Sequence, residues 1–100
     1  MNKMKEMQVL LAKIPKGKVS TYGLLARKLK IHPRYAGKLL SENPDGVKYP
    51  CYKIIRSDGS LGSYTSKRGV RDKIRNLRRD GIDIKNNKID LKKYLFDFKR

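Results

Sequence analysis

The chain has 100 residues, of which 26 are lysine or arginine and 9 are aspartate or glutamate, so its formal net charge is +17. A chain of this length buries one modest core and has no room for separate binding and catalytic domains. Because such a surplus repels itself in the folded state, it indicates a polyanionic partner, nucleic acid first and an anionic membrane surface second. A solubilising or heat-adapted surface is the alternative that needs no partner.

The sequence also bears on location. It contains no stretch of the roughly 18 apolar residues that a membrane-spanning helix requires, and no apolar signal segment near its N-terminus. Its single cysteine suits a reducing compartment. We therefore expect an intracellular protein, cytoplasmic and nucleoid-associated or, in a eukaryote, nuclear, without a membrane partner.

Three helices are predicted in the first half of the chain. Apolar residues recur at spacings of three and four over 2–13, which predicts an amphipathic helix. A proline and a glycine then break the pattern, and Ser20 or Thr21 offers a side-chain cap for a second helix over 22–30. A proline at the first helical position opens a third helix over 33–42.

The second and third predicted helices form a helix-turn-helix. The third helix carries Arg34 and Lys38 on a face distinct from that of Ala36, Leu39 and Leu40. This arrangement is a common packing unit as well as a DNA-binding one. Together with the net charge, it predicts DNA binding through this unit.

Short extended segments are predicted in the second half. A turn at 57–60 separates apolar runs at 52–56 and 61–64, which predicts a β-hairpin. A second small hairpin is predicted over 82–91, and a short terminal segment over 92–98 supplies aromatic residues for packing.

One further helix is predicted between these hairpins. A threonine or serine at 65–66 offers its cap, and Val70, Ile74 and Leu77 are predicted to face the core. Basic residues, Lys73 among them, occupy the remaining face, and a glycine ends the helix.

The single cysteine, Cys51, begins a short apolar run directly after Pro50. One cysteine and one distant histidine furnish neither a disulfide nor a conventional zinc site, so we expect no metal and no cofactor. Cys51 is then either a buried apolar side chain or a nucleophile. Pro50 restricts the backbone before it, and Lys48, Lys53 and Arg56 would favour its thiolate form.

Several ordered motifs resemble those of the O6-alkylguanine-DNA alkyltransferases. Residues 14–23, I-P-K-G-K-V-S-T-Y-G, are similar to the I-P-x-G-x-V-x-T-Y-G segment of that family. Residues 34–37 resemble its R-x-V-G recognition-helix start, and residues 50–54, P-C-Y-K-I, are similar to its P-C-H-R-V motif. The resemblance runs from about residue 8 to residue 94.

This resemblance implies a fold and a domain organisation. We expect an α+β, mainly α, winged helix-turn-helix-like single domain with small β-hairpins. Residues 1–100 would form one DNA-binding and alkyltransferase domain, similar to the C-terminal catalytic domain of the family and without its N-terminal domain. We expect a monomer.

The resemblance also implies a function. Members of the family bind duplex DNA in the minor groove, rotate an alkylated guanine out of the stack and transfer its O6-alkyl group irreversibly to a cysteine. By position, Cys51 would be the nucleophile and alkyl acceptor, and Asn43 would brace the turns around it. Tyr22 would donate its phenolic hydrogen to the purine, its alternative role being that of a core residue. The implied partner is double-stranded DNA carrying alkylated guanine, and possible repair-protein partners are unknown.

Further residues are implied on the DNA side. Arg34 would fill the space left by the flipped nucleotide, its alternative role being an ordinary phosphate contact. The remaining DNA-contacting candidates are Thr21, Tyr35, Gly37 and Lys38, and the base-pocket candidates are Tyr22, Ser63 and Tyr64.

Two departures from the family pattern concern the proton relay. Tyr52 replaces the histidine that relays the thiol proton, and Asp80 aligns with the glutamate that orients this histidine. A phenol, with a reference pKa near 10, is a poor base at neutral pH. Three outcomes follow: Tyr52 holds a water or hydroxyl network to Asp80, Lys53 and a helix dipole activate Cys51, or the protein binds lesions with little transfer.

We therefore predict a single-turnover DNA alkyltransferase with Cys51 as the acceptor. A non-catalytic lesion-binding protein that recruits other repair factors is one alternative, and a winged helix-turn-helix regulator that is indifferent to damage is another. All three functions predict DNA binding that weakens steeply with salt, because phosphate contacts release counterions.

Overall fold

The computed structural model describes residues 2–44, 46, 48–62 and 69–98. Five α-helices lie in these ranges: α1 (Lys3–Lys13), α2 (Tyr22–Leu29), α3 (Pro33–Ser41), α4 (Val70–Arg79) and α5 (Leu91–Tyr94). A 3₁₀ turn (Cys51–Lys53) and two short strands, β1 (Ser20–Thr21) and β2 (Ile54–Ile55), connect them. The predicted mainly helical α+β fold is confirmed. None of the described helices has the length and apolar character needed to span a bilayer.

Side-chain caps define the starts of the first three helices. Asn2 caps α1, and the Thr21 hydroxyl accepts the Leu24 N–H at 3.1 Å to cap α2. His32 Nδ1 accepts the Arg34 N–H at 3.1 Å at the start of α3. Each cap satisfies a backbone donor that the helix itself leaves unpaired. The three predicted helices are confirmed, and the cap supplied by His32 is a finding of the structure.

The sheet differs from the first predicted hairpin. β1 and β2 pair in parallel, although they are far apart in the chain. The turn at 57–60 does form, since the Arg56 N–H donates to the Ser60 carbonyl at 2.9 Å. Ser60 then bridges Lys88 in antiparallel fashion instead of continuing a strand beside β2. Residues 63–64 of the predicted partner strand lie outside the described ranges.

The second predicted hairpin is present in minimal form. Lys85 and Lys88 make an antiparallel bridge, with reciprocal backbone hydrogen bonds of 3.0 and 2.9 Å. Asn86 and Asn87 lie between them with φ of 53° and 57°. Two successive residues with positive φ characterise the two-residue turn whose twist matches that of the flanking strands.

Two assignments on α4 are wrong. Leu77 is buried and Ile74 is partly buried, as predicted, but Val70 is 40% exposed because it is the first residue of the helix. Lys73, assigned to the outer face, is 1% exposed. It lies four residues before Leu77, so the helical repeat places it on the inner face. The predicted cap at 65–66 lies outside the described residues.

Two buried clusters lie on either side of the strands. Ile54 belongs to the cluster enclosed by α1, α2 and α3, and the next residue, Ile55, belongs to the cluster that includes Leu77 of α4. Successive strand residues point to opposite faces, so α3 and α4 pack on opposite sides of the sheet. Cys51 lies in the first cluster and Tyr52 in the second, which places the 3₁₀ turn at their boundary.

Candidate active site

Cys51 opens the 3₁₀ turn and is 8% exposed. Pro50 precedes it with φ of −75°, and the Pro50 carbonyl accepts the Lys53 N–H at 3.2 Å. Asn43 Nδ2, just past α3, donates to the Tyr49 carbonyl at 2.8 Å. The backbone that carries the thiol is therefore held both by its own turn and by a side chain from the end of the helix-turn-helix.

Tyr52 is joined directly to Asp80. Its hydroxyl, on a side chain only 9% exposed, donates to Asp80 Oδ2 at 2.6 Å. Asp80 ends α4, so this hydrogen bond fixes the helix against the 3₁₀ turn. A phenol has a single proton to donate, and this one is directed to the carboxylate. The geometry leaves Tyr52 as a donor to Asp80 and gives it no basic lone pair comparable to that of an imidazole.

Lys53 occupies a different place from the one expected. It is 6% exposed, and its Nζ donates to the Ile14 carbonyl at 3.0 Å. Burial lowers the pKa of Lys53, and the charge of Asp80 partly offsets this effect. Its ammonium group is therefore engaged by the end of α1 and by Asp80. The expectation that Lys53 activates Cys51 finds no contact to support it.

Lys73 is a site residue that the sequence analysis missed. Its Nζ donates to the Ile54 carbonyl at 2.6 Å and lies 5.8 Å from the centroid of the Tyr22 ring. Burial lowers the pKa of Lys73 to about 8; the charge of Cys51 acts in the opposite direction, and the charge of Arg56 acts with burial. Lys73 is thus a buried cation that interacts electrostatically with the thiol. The sequence did contain a signal that Lys73 is buried, because it lies between Val70 and Leu77 on one helical face.

Tyr22 is the first residue of α2 and is partly buried. Gly62 has φ of 72°, and a Cβ at this position would lie 3.0 Å from Tyr22 Oη and 3.1 Å from Tyr22 Cε2. A side chain at position 62 would therefore crowd the phenol and push it aside by a few tenths of an ångström. Tyr22 is positioned between this backbone and Lys73. Ser63 and Tyr64, the other base-pocket candidates, follow directly and lie outside the described residues.

A second exposed surface lies on α3. Arg34, Tyr35, Lys38 and His32 line one concave area, and Tyr35 is 43% exposed. A Cβ added at Gly37 would meet nothing within 4 Å, so the helix surface is open at that point. Two cations, one of them the fork-shaped guanidinium of Arg34, and an exposed aromatic ring make this a surface suited to a phosphate backbone.

Thr21 does not belong to that surface. It is 4% exposed, and its hydroxyl accepts the Leu24 N–H inside the protein. This placement argues against the expected side-chain contact with DNA, because an N-cap residue next to the sheet is needed for the fold.

Comparisons with known proteins place this geometry in a family. Residues 3–82 match the family model described as 6-O-methylguanine DNA methyltransferase, DNA binding domain. A DNA base-flipping protein of Vibrio parahaemolyticus is 40% identical over 85 residues, covering 81% of this chain and 82% of that protein. A bifunctional methyltransferase/endonuclease of Picrophilus torridus is 52% identical over 90 residues, covering 88% of this chain. The chain spans only 30% of the length of that bifunctional protein.

Solved structures show the same fold. Atl1 of S. pombe, in complex with damaged DNA containing O6-carboxymethylguanine, aligns with a TM-score of 0.84 at 24% identity, over 95% of this chain and 94% of that one. The O6-methylguanine-DNA methyltransferase of Pyrococcus kodakaraensis aligns with a TM-score of 0.74 at 30% identity, over 82% of this chain and 47% of that one. The chain therefore belongs to the family of the 6-O-methylguanine DNA methyltransferase DNA-binding domain.

Proposed function

We propose that the protein repairs DNA by transferring an alkyl group from O6-alkylguanine in duplex DNA to Cys51 after base flipping, once per molecule. One observation carries this proposal: the buried Lys73 amine donates to the Ile54 carbonyl, three residues after Cys51, and lies against the Tyr22 ring. Burying a lysine costs several kcal/mol unless a partner compensates it. The charge of Cys51 acts against the effect of burial on Lys73, as a nearby thiolate would, although burial dominates and the pKa of Lys73 stays lowered.

The proposed transfer is a displacement at a saturated carbon. The Cys51 thiolate forms the new S–C bond while the C–O6 bond breaks, and the bonding electron pair moves onto the purine oxygen. Tyr22 donates a hydrogen bond to the purine as this charge develops, which stabilises the transition state more than the ground state. The purine then takes a proton at N1, ultimately from solvent, and the thioether does not turn over.

The thiolate requires a route for its proton. Tyr52 directs its hydroxyl to Asp80, and Lys53 is engaged elsewhere. With a pKa of about 8, Lys73 is mainly an ammonium at neutral pH. We propose that this ammonium stabilises the Cys51 thiolate while the thiol proton passes to solvent, so that no residue has to replace the family histidine as a base.

The surface of α3 is proposed to hold the duplex. Arg34 fills the gap left by the flipped nucleotide, and Tyr35, Gly37 and Lys38 lie against the groove and the phosphates. The exposure of these side chains and the open helix surface at Gly37 support this placement. Relatives named as a base-flipping protein and as a methyltransferase support the flipping and the transfer.

Intact-protein mass spectrometry tests the proposal. The protein is incubated with a duplex that contains one O6-methylguanine, and Cys51→Ala serves as the matched control. We expect the mass to increase by one methyl group, localised to Cys51, with no increase in the control. An unchanged mass after complete binding of the damaged duplex would refute transfer.

A lesion-binding function is the second candidate, favoured by the donation of the Tyr52 hydroxyl to Asp80, which removes a base from the position after the nucleophile. It predicts tighter binding of the damaged than of the undamaged duplex without any change in mass. Equal binding of both duplexes would instead indicate the regulator.

A further inference from the structure

α4 presents a row of exposed basic side chains, here termed the arginine stripe: Arg71, Arg75, Arg78 and Arg79. These residues lie at positions i, i+4, i+7 and i+8, within about 100° of the helix circumference. Lys73 and Leu77 point the opposite way, into the protein. The stripe is about 12 Å long, from a rise of about 1.5 Å per residue.

The charge of the stripe is largely uncompensated. Asp72 is the acidic residue of α4, and it pairs with Arg75 at 3.0 Å. Arg79 donates to the side-chain oxygen of Asn76 at 2.9 Å, which is neutral. The side chains of Arg71 and Arg78 make no hydrogen bond or ion pair with any part of the chain that the structure describes. Adjacent like charges destabilise a helix surface, so the stripe is best accounted for by an anionic partner.

The stripe is separate from the surface on α3. α3 and α4 pack on opposite sides of the sheet, and each helix directs its exposed cations away from the cluster it covers. α4 packs on the 3₁₀ turn with the side that carries Lys73, so the stripe faces away from Cys51. A straight duplex lying on α3 would therefore lie on the side of the sheet opposite the arginine stripe.

We propose that the arginine stripe binds the phosphate backbone of a second DNA segment while α3 holds the first, so that the protein passes directly from one duplex to another. Guanidinium groups bind phosphates in a bidentate manner, and a stripe of this length spans about three to four base pairs of duplex. The stripe itself contains no apolar or aromatic side chain, which makes it a poor match for a protein partner. This inference rests on DNA binding by the α3 surface and is independent of alkyl transfer.

Competitor-dependent dissociation tests the proposal on undamaged DNA, so that lesion recognition and transfer do not enter. A fluorescent 15-base-pair duplex is bound to the protein, and its dissociation rate is measured against increasing unlabelled duplex. A second DNA site makes this rate rise with competitor concentration, by about fivefold or more above the rate of one-site release. In Arg71→Gln/Arg75→Gln/Arg78→Gln/Arg79→Gln we expect a rate that does not depend on the competitor.

Two variants sharpen the comparison. Lys5→Gln/Lys13→Gln/Lys85→Gln/Lys92→Gln removes the same charge from exposed positions outside α3 and α4, and it should keep the competitor dependence. Replacement of all four stripe arginines by lysine keeps the charge. This variant should keep at least part of the competitor dependence. A competitor-independent rate in the unmodified protein, or equal loss in the stripe and control variants, overturns the second DNA site. Circular dichroism confirms that each variant is folded.

Discussion

Tyr52 Oη donates to Asp80 Oδ2 across 2.6 Å, which joins the residue after Cys51 to the end of α4. The two residues are 28 positions apart in the chain. In the family pattern, a histidine and a glutamate would stand here as a proton relay. In this chain the same two positions instead form a partly buried phenol–carboxylate hydrogen bond, whose contribution is to the stability of the site.

Tyr52→Phe should therefore lower the free energy of unfolding while leaving the rate of methyl transfer nearly unchanged. Removing a hydrogen bond to a charged group lowers the free energy of unfolding by about 1.5 to 3 kcal/mol. We expect a loss in this range in urea denaturation, and methyl transfer within about threefold of the unmodified protein. Asp80→Asn and the double variant complete a thermodynamic cycle that isolates the pair. A slowing of a hundredfold in folded Tyr52→Phe would show that the phenol takes part in proton transfer.

Lys73→Met should affect reactivity. Loss of the buried ammonium removes the charge that holds the thiolate, and removing one such preorganised group slows an enzymatic reaction by about 10² to 10³. We expect single-turnover methyl transfer to slow by this factor, and alkylation of Cys51 by iodoacetamide to slow as well. Lys53→Met is the matched control, because that lysine is also buried but is engaged by the Ile14 carbonyl. Equal reactivity of Cys51 in the two variants would remove Lys73 from the mechanism.

Lys73 should also make stability depend on pH. Its folded pKa is lowered from 10.5 to about 8, so between these values the unfolded chain binds more protons than the folded one. The free energy of unfolding therefore rises with pH across this window, by a total on the order of 3 kcal/mol. Below pH 8 the penalty for the buried charge is fully present. Lys73→Met should lack this rise and should be more stable than the unmodified protein at pH 7.

The difference in unfolding free energy between the unmodified protein and Lys73→Met isolates the contribution of Lys73. Tyrosines and surface lysines also titrate in this pH range, but they do so in both proteins. Urea denaturation from pH 7 to pH 10.5 gives the comparison. Parallel curves for the unmodified protein and Lys73→Met would show that Lys73 is not buried as a charged group.

Gly62→Ala should displace Tyr22. The added Cβ would lie 3.0 Å from the phenol oxygen, and φ at this position is 72°. Gly81→Ala is a close control, since its φ of 88° imposes similar backbone strain while its Cβ meets nothing within 4 Å. In both variants the left-handed backbone conformation of the new alanine lowers the free energy of unfolding by about 1 to 2 kcal/mol. Gly62→Ala alone should also slow methyl transfer, which single-turnover mass spectrometry measures. Equal transfer rates in the two variants would argue against a role for Tyr22.

Arg34→Ala should distinguish base flipping from chemistry. Flipping costs a few kcal/mol in a duplex and nothing for a free base. We expect transfer from duplex DNA to slow much more than transfer from a free O6-substituted guanine. Lys13→Ala, an exposed cation on α1, should change neither rate. Equal losses on the two substrates in Arg34→Ala would leave Arg34 as an ordinary phosphate contact.

The sequence by itself determined the first three helices, the place of Cys51 and the resemblance to the family. These features depend on contacts within a few residues. Apolar spacing of three and four places the inner faces of the helices, and a capping residue such as Thr21 sets where a helix starts. The fold class followed correctly from them, and so did the cationic surface of α3.

Only the tertiary structure decided how the thiol is surrounded. The parallel pairing of β1 with β2 depends on chain segments about 34 residues apart, and short-range patterns favoured a hairpin instead. Helical spacing places Lys73 on the buried face of α4, but only the fold brings the Ile54 carbonyl and the Tyr22 ring to its ammonium group. Likewise, the charge of Lys53 suggested activation of Cys51, and packing against α1 directs it to Ile14 instead. The role of a buried lysine depends on the groups that its amine contacts, and these groups come from distant parts of the chain.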